Sequence, residues 1–277
     1  MRQVAGPVPP VRPLLEVNAL EELKRWVPYC GEAPGPEVWL SRWNLDPVLW
    51  VVLLLLLVRL LWPVRVGSRA TPRRLLSLRG AWALTFVLYV SPLCALSSAF
   101  FTVRVVHHLA LVLVLAPLLV FGLEPFLRRW PVSLWLSTAV SVVVFWVWHA
   151  PGAYAQALSS DGVYAAMQLS LLVSAMAFWL AVRRAGPPLA IGAVLVTTVL
   201  MGLLGALITF ATRPLYPPHF ASAIGWGVAP LDDQQLAGII MWAPGSVAYL
   251  AAAMWIGWRW MNAERARGVH GARGGLA

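Results

Sequence analysis

Charge is scarce in this chain. Asp, Glu, Lys and Arg make up 12% of the 277 residues, against about 25% in ordinary soluble domains. So little charge cannot cover a soluble surface of this size. With 60% apolar residues and a mean hydropathy of +0.74, the class is a polytopic membrane protein. Cysteine is scarce too: Cys30 and Cys94 alone exclude a disulfide framework and a C-x-x-C redox motif. The net charge is +10, but no tract alternates basic and aromatic residues as a nucleic-acid groove would, so no nucleic-acid partner is expected. Walker loop, catalytic triad, zincin motif and dinucleotide fingerprint are all missing, and the expectation is a protein that is not an enzyme. The opening "MRQVAGPVPPVRP" is proline-rich and lacks the apolar run of a signal peptide. No internal repeat is visible.

What is present in quantity is long apolar stretches. Seven of them, near 47–65, 80–98, 103–122, 132–150, 163–182, 189–211 and 236–258, are long enough, or nearly so, to cross roughly 30 Å of hydrocarbon. Their continuous apolarity speaks for helices rather than barrel strands. The fold class is therefore all-α, a seven-helix membrane bundle. Pro117 inside the third span is tolerated because a bundle can re-satisfy the freed carbonyl. Gly192, Gly202 and Gly205 in the sixth predict close helix packing. Residues 1–45 read as an extracytoplasmic segment, in which 14–27 forms a short amphipathic helix at the surface or in the lipid interface. Residues 46–260 form the transmembrane domain and 261–277 a cytoplasmic tail.

The basic residues sort by side. Arg65, Arg69, Arg73, Arg74 and Arg79 join spans 1 and 2; Arg128 and Arg129 join 3 and 4; Arg183 and Arg184 join 5 and 6. Arg259, Arg265, Arg267 and Arg273 lie in the tail, and Arg59 near the same end of span 1. That side holds only Glu124 and Glu264, whereas the opposite side has seven Lys or Arg against nine Asp or Glu. The positive-inside rule then places the N-terminus outside and the C-terminus in the cytoplasm.

Depth gives the unusual residues a common address. Cys94, Arg104, His107, His108, His149, Tyr164 and Gln168 fall at outer span ends, with His219, Asp232, Asp233 and Met241 around the entry of span 7. Ionisable groups in a membrane are costly and mark function, and histidine, methionine and thiol ligands suit copper. His108 shares a helix face with Arg104, while His107 points about 100° away from His108. The candidate metal ligands are His108 and His149, completed from His107, Cys94, His219 and Met241. Cys94 also reads as a small core residue, and a Cys30–Cys94 disulfide on an oxidising face is a further alternative.

The segments "WNLDPVLW" (43–50), "HHLALVLVLAPLLVFG" (107–122), "WHAPGAYAQAL" (148–158), "PLYP" (214–217) and "DDQQLAGIIMWAPG" (232–245) resemble, in order and spacing, the seven-span CtaG-type assembly factors of caa3 cytochrome c oxidase. The resemblance runs from about residue 40 to 260. It implies a plasma-membrane protein of bacteria that helps to make active haem–copper oxidase, with copper as cargo and oxidase subunits or copper chaperones as partners. It implies His108 and His149 as copper ligands and Asp233 with Gln234 as the polar entry of span 7. Arg104 stands where the family usually carries histidine, His107 where it carries glutamine, and Tyr164 and Gln168 where it carries a pair of histidines. Two other classes fit histidines on different spans: a haem or quinone redox protein, with the histidines as axial ligands, and a metal-ion transporter. The transporter reading lacks an ionisable residue near the bilayer midplane.

Overall fold

A computed structural model describes residues 26–61 and 71–274, with side chains through 267. Of the interfacial helix read at 14–27, residues 14–25 lie outside what is described and 26–27 are not helical; Arg65, Arg69 and the 273 side chain also lie outside. Among the described residues there are helices and loops and no strand. The longer helices are α1 (Pro47–Leu61), α2 (Pro72–Tyr89), α3 (Pro92–Ala99), α4 (Phe101–Gly122), α5 (Leu134–His149), α6 (Pro151–Leu158), α7 (Asp161–Arg184), α8 (Pro187–Thr209) and α9 (Pro230–Gly274).

Proline sets many of these boundaries. Six helices begin on it, where its missing N–H is no loss and its φ already suits a helix. A proline also pushes the residue before it into extended backbone. Ser91 (φ −70°, ψ 167°) and Ala150 (φ −70°, ψ 129°) obey this, so the expected second and fourth spans are not straight. Helices α2 and α3 meet at 49°, and α5 and α6 at 73°. Pro117 does not break α4. A π turn at Leu111–Leu115 precedes it, and in that wider register the carbonyl left without a donor is that of Val112. The Trp179 indole of α7 supplies the bond, at 2.8 Å.

Helices α4, α7, α8 and α9 are each long and apolar enough to cross a membrane, and the two bent pairs raise the number to six. The apolar helix α1 has 15 described residues and falls short of that length. Its Val48, Leu54, Leu55 and Val58 are more than half exposed, as expected of a helix facing lipid.

Helix α4 is the hub, packing against α9 with its first half and against α2 and α7 with its second. Helices α8 and α9 share the most intimate contact, made possible by Gly205 and Gly238. A Cβ on Gly205 would lie 2.8 Å from the Gly238 carbonyl oxygen. Gly202 faces Trp242, whereas Gly192 meets its neighbour only at ordinary distance.

Residues 26–46 cross one end of the bundle. Gly31, at φ +85°, makes the turn that a side chain would strain, and the Trp226 indole donates to the Pro34 carbonyl at 2.8 Å. The Tyr29 hydroxyl donates to Asp46 at 2.9 Å. Burial, aided by that carboxylate, pushes the Tyr29 hydroxyl up to about 12. The Leu49 N–H and the Tyr29 hydroxyl hold Asp46 below the usual carboxylate range.

Candidate functional site

The buried polar side chains concentrate at the end that residues 26–46 cover. Arg104, His107, His108, His149, Gln168, His219, Asp233 and Gln234 are all buried there, on five different elements. Their partners give them distinct tasks.

His108 and His149 meet, Nδ1 to Nε2, at 3.4 Å, with rings edge to face. The protons can be followed outward from groups that have no choice. The Phe145 carbonyl only accepts, so His149 Nδ1, 2.7 Å away, carries the hydrogen and its Nε2 is a lone pair. At the other end the Tyr89 hydroxyl donates to Gln168 Oε1 at 3.1 Å. The Gln168 amide nitrogen then donates to His108 Nε2 at 3.5 Å, which leaves the His108 hydrogen on Nδ1, facing His149. A single directed chain runs Tyr89, Gln168, His108, His149, Phe145, crossing four helices.

His219 stands apart. Its Nδ1 donates to the Ser98 carbonyl at 3.1 Å, and its Nε2 accepts the Tyr154 hydroxyl at 2.6 Å. Burial and the Arg104 charge push its imidazole down to about 3, so it is neutral. Phe101 separates it from His149, stacked on Tyr216 at 3.7 Å between ring centres. Tyr216 in turn donates to the His149 carbonyl at 2.7 Å. Asp233 accepts the N–H groups of Phe101 and Thr102 at 2.7 and 3.1 Å, which fixes the start of α4. Gln234 accepts the Leu215 N–H at 2.6 Å and ties down the loop before α9. Met241 is fully buried.

One candidate ligand needs correction. Cys94 is bonded to Cys30, with Cα atoms 5.2 Å apart, and offers no thiolate. The pairing joins the covering segment to α3 across 64 residues of sequence, a separation that conceals proximity. The available signal was that both cysteines fall on one side of the topology. Tyr89, Tyr154 and Tyr216 also belong to the site without having been singled out. The last two lie inside the quoted blocks 148–158 and 214–217, but nothing in their spacing marks them as partners of histidine.

Copper can be tested against this donor set. Two imidazole nitrogens bound to one ion with bonds of about 2.0–2.1 Å, at angles between tetrahedral and trigonal, stand roughly 3.3–3.6 Å apart, and the observed pair falls in that range. Among the described residues, however, no three His, Cys, Asp or Glu side chains converge on one point. The pair therefore fits as an open seat with two donors, not as a closed cage.

The family model described as cytochrome c oxidase caa3 assembly factor matches residues 52–263. No curated protein and no solved structure gives a significant match to the chain. The matched stretch holds the whole of the His108–His149 chain and both of its flanking tyrosine–histidine contacts, while the covering segment with Tyr29, Cys30 and Asp46 lies outside it. On that match over most of its length, the chain belongs to the cytochrome c oxidase caa3 assembly factor family, multi-pass membrane proteins of oxidase biogenesis.

Proposed function

We propose that the chain works at the outer face of the plasma membrane, with seven spans, its N-terminus outside and its C-terminus inside. There it offers copper a transient two-histidine seat during oxidase assembly. The observation that carries this reading is the facing of His108 Nδ1 and His149 Nε2 at 3.4 Å inside a buried site. A cage with four donors would retain an ion; two imidazoles leave coordination positions for an incoming chaperone or a receiving oxidase subunit. The hydrogen-bond chain satisfies both histidines when no ion is held. Loading requires the His108 hydrogen to leave Nδ1, and Gln168 can accommodate that by turning its amide oxygen toward Nε2. The same geometry favours a bare ion over haem, since axial haem ligands stand on opposite faces of a macrocycle and these rings touch.

The purified chain is expected to bind one Cu(I), and His108→Ala together with His149→Ala to abolish it. Stoichiometric copper surviving the double change sinks the assignment. In cells, deletion of the gene should lower oxidase activity, and added copper should restore it. Loss that copper does not rescue would point to scaffolding of a subunit instead.

A further inference from the structure

Arg104 is the largest fully buried side chain among the described residues, at 0% exposure. Arginine keeps its charge at any ordinary pH, and a buried charge is tolerable only when paired and hydrogen-bonded. The chain itself does little of this. Nη1 donates to the Tyr164 hydroxyl at 2.8 Å, and the guanidinium carbon lies 5.2 Å from the centre of the same ring. The ion pairs among the described residues are Arg183–Glu124 and Arg267–Glu264, both elsewhere. The buried carboxylate at this end, Asp233, has both oxygens committed to the start of α4.

Arg104 Nε and Nη2 make no hydrogen bond of good geometry; the Tyr154 hydroxyl stands near the guanidinium but is bonded to His219 at 2.6 Å. These two nitrogens share one edge of the planar guanidinium and present parallel N–H groups. That edge takes the two oxygens of a carboxylate side by side. His107, three residues further and so a neighbour on the helix surface, has neither ring nitrogen in a hydrogen bond of good geometry; Gln168 stands near it but is engaged by Tyr89 and His108. Its ring is held by the edge-on ring of Tyr89 at 5.1 Å, a contact that leaves its polar atoms free. Arg104 and His107 hold four of the six unpartnered buried side-chain atoms among the described residues. Unsatisfied groups in a native fold call for an explanation, and these four lie within one helical turn.

We propose that Arg104 and His107 form a binding site for a carboxylate. The Arg104 fork receives both oxygens, and His107 donates from whichever ring nitrogen carries hydrogen. One negative charge neutralises the one uncompensated positive charge, which favours a carboxylate over a phosphate. The parallel donors favour it over a halide. The site does not depend on metal at His108 and His149. The covering segment lies over this end of the bundle: the sulfur of Cys30 is 3.5 Å from the Tyr164 hydroxyl that accepts from Arg104.

The test uses the full chain purified in detergent and sodium acetate as the probe, with sodium chloride at equal ionic strength as reference. Acetate should raise the melting midpoint above its value in chloride, and saturation-transfer NMR should show the acetate methyl in contact with the protein. Arg104→Lys keeps the charge but loses the fork, and should weaken acetate binding by about tenfold or more. Arg104→Met should abolish both signals and, in acetate-free chloride, melt higher than wild type, because it removes an uncompensated buried charge. His107→Ala should weaken acetate binding without abolishing it. An acetate response no greater than that of chloride, or one retained in Arg104→Met, overturns the proposal. So does a lower acetate-free midpoint for Arg104→Met, which would mark the arginine as structural. A short peptide with a free C-terminal carboxylate, compared with its amide, identifies the carrier. Competition by the acid form alone assigns a chain-borne carboxylate, and its failure beside positive acetate signals assigns a small free one.

Discussion

One carboxylate holds the start of the helix that carries Arg104, His107 and His108. Phe100, the residue before α4, is extended and offers no side-chain cap, so the first N–H groups of the helix would otherwise be orphaned. Asp233 reaches across from α9 and accepts two of them, while the Thr102 hydroxyl donates back to the Asp233 carbonyl at 2.7 Å. Capping by a distant residue ties the local helix start to the bundle. Asp233→Ala should therefore cost about 1–3 kcal/mol, the range for a lost cap with hydrogen bonds to a charged group. Asp233→Asn, which keeps an oxygen acceptor, should cost less than half of that. Melting midpoints of the two variants check it, and an unchanged Asp233→Ala midpoint would show that the contact carries no stability. Tyr154 and Tyr216 act at the same scale, each satisfying a group of a different histidine. None of these pairings could be read from the chain, because each joins residues brought together only when loops from separate spans close over one end.

At the scale of elements the decisive contact is between α8 and α9. Each of Gly205 and Gly238 approaches the backbone of the other helix, and a Cβ on Gly238 would stand 2.7 Å from the Gly205 carbonyl oxygen. Backbone cannot swing aside as a side chain can, so the helices must separate. Gly238→Val should cost at least about 1–3 kcal/mol, as overpacking does. Gly152→Val, at a position with open space around it, should leave the protein's stability within about 0.5 kcal/mol of wild type. Equal melting midpoints for the two would refute the close crossing. The sixth-span glycines predicted such packing at Gly202 and Gly205, but Gly238 lies in a segment notable for other residues and was not marked. Apolar length located α4, α7 and α8 to within two residues at each end, but α2 begins eight residues before the expected second span, and α9 outruns the expected 236–258 at both ends. It missed the bends at Ser91 and Ala150 because hydropathy averages over a window, whereas a proline acts on the single residue before it.

For the whole molecule, two independent chemistries support the proposed sidedness. Arginines gather at one end: Arg59, Arg128, Arg129, Arg183 and Arg184 lie at helix ends or loops away from the histidines, and Arg259 lies in the distal half of α9; such an excess marks the cytoplasmic side. The Cys30–Cys94 disulfide lies at the opposite end, beside Tyr164, and disulfides persist in oxidising compartments and not in the cytosol. The disulfide owes nothing to charge counts, so its agreement with them is an added support for the proposed placing of the buried histidines near the outer face. Labelling in intact cells with a membrane-impermeant maleimide separates the two orientations. Wild-type protein should label only after an impermeant reductant opens the disulfide. A single cysteine introduced at Ala263, with Cys30 and Cys94 replaced by serine, should stay unlabelled until the cells are lysed. Labelling of the Ala263→Cys position in intact cells would reverse the orientation, and with it the placing of the copper seat and the carboxylate site at the outer face.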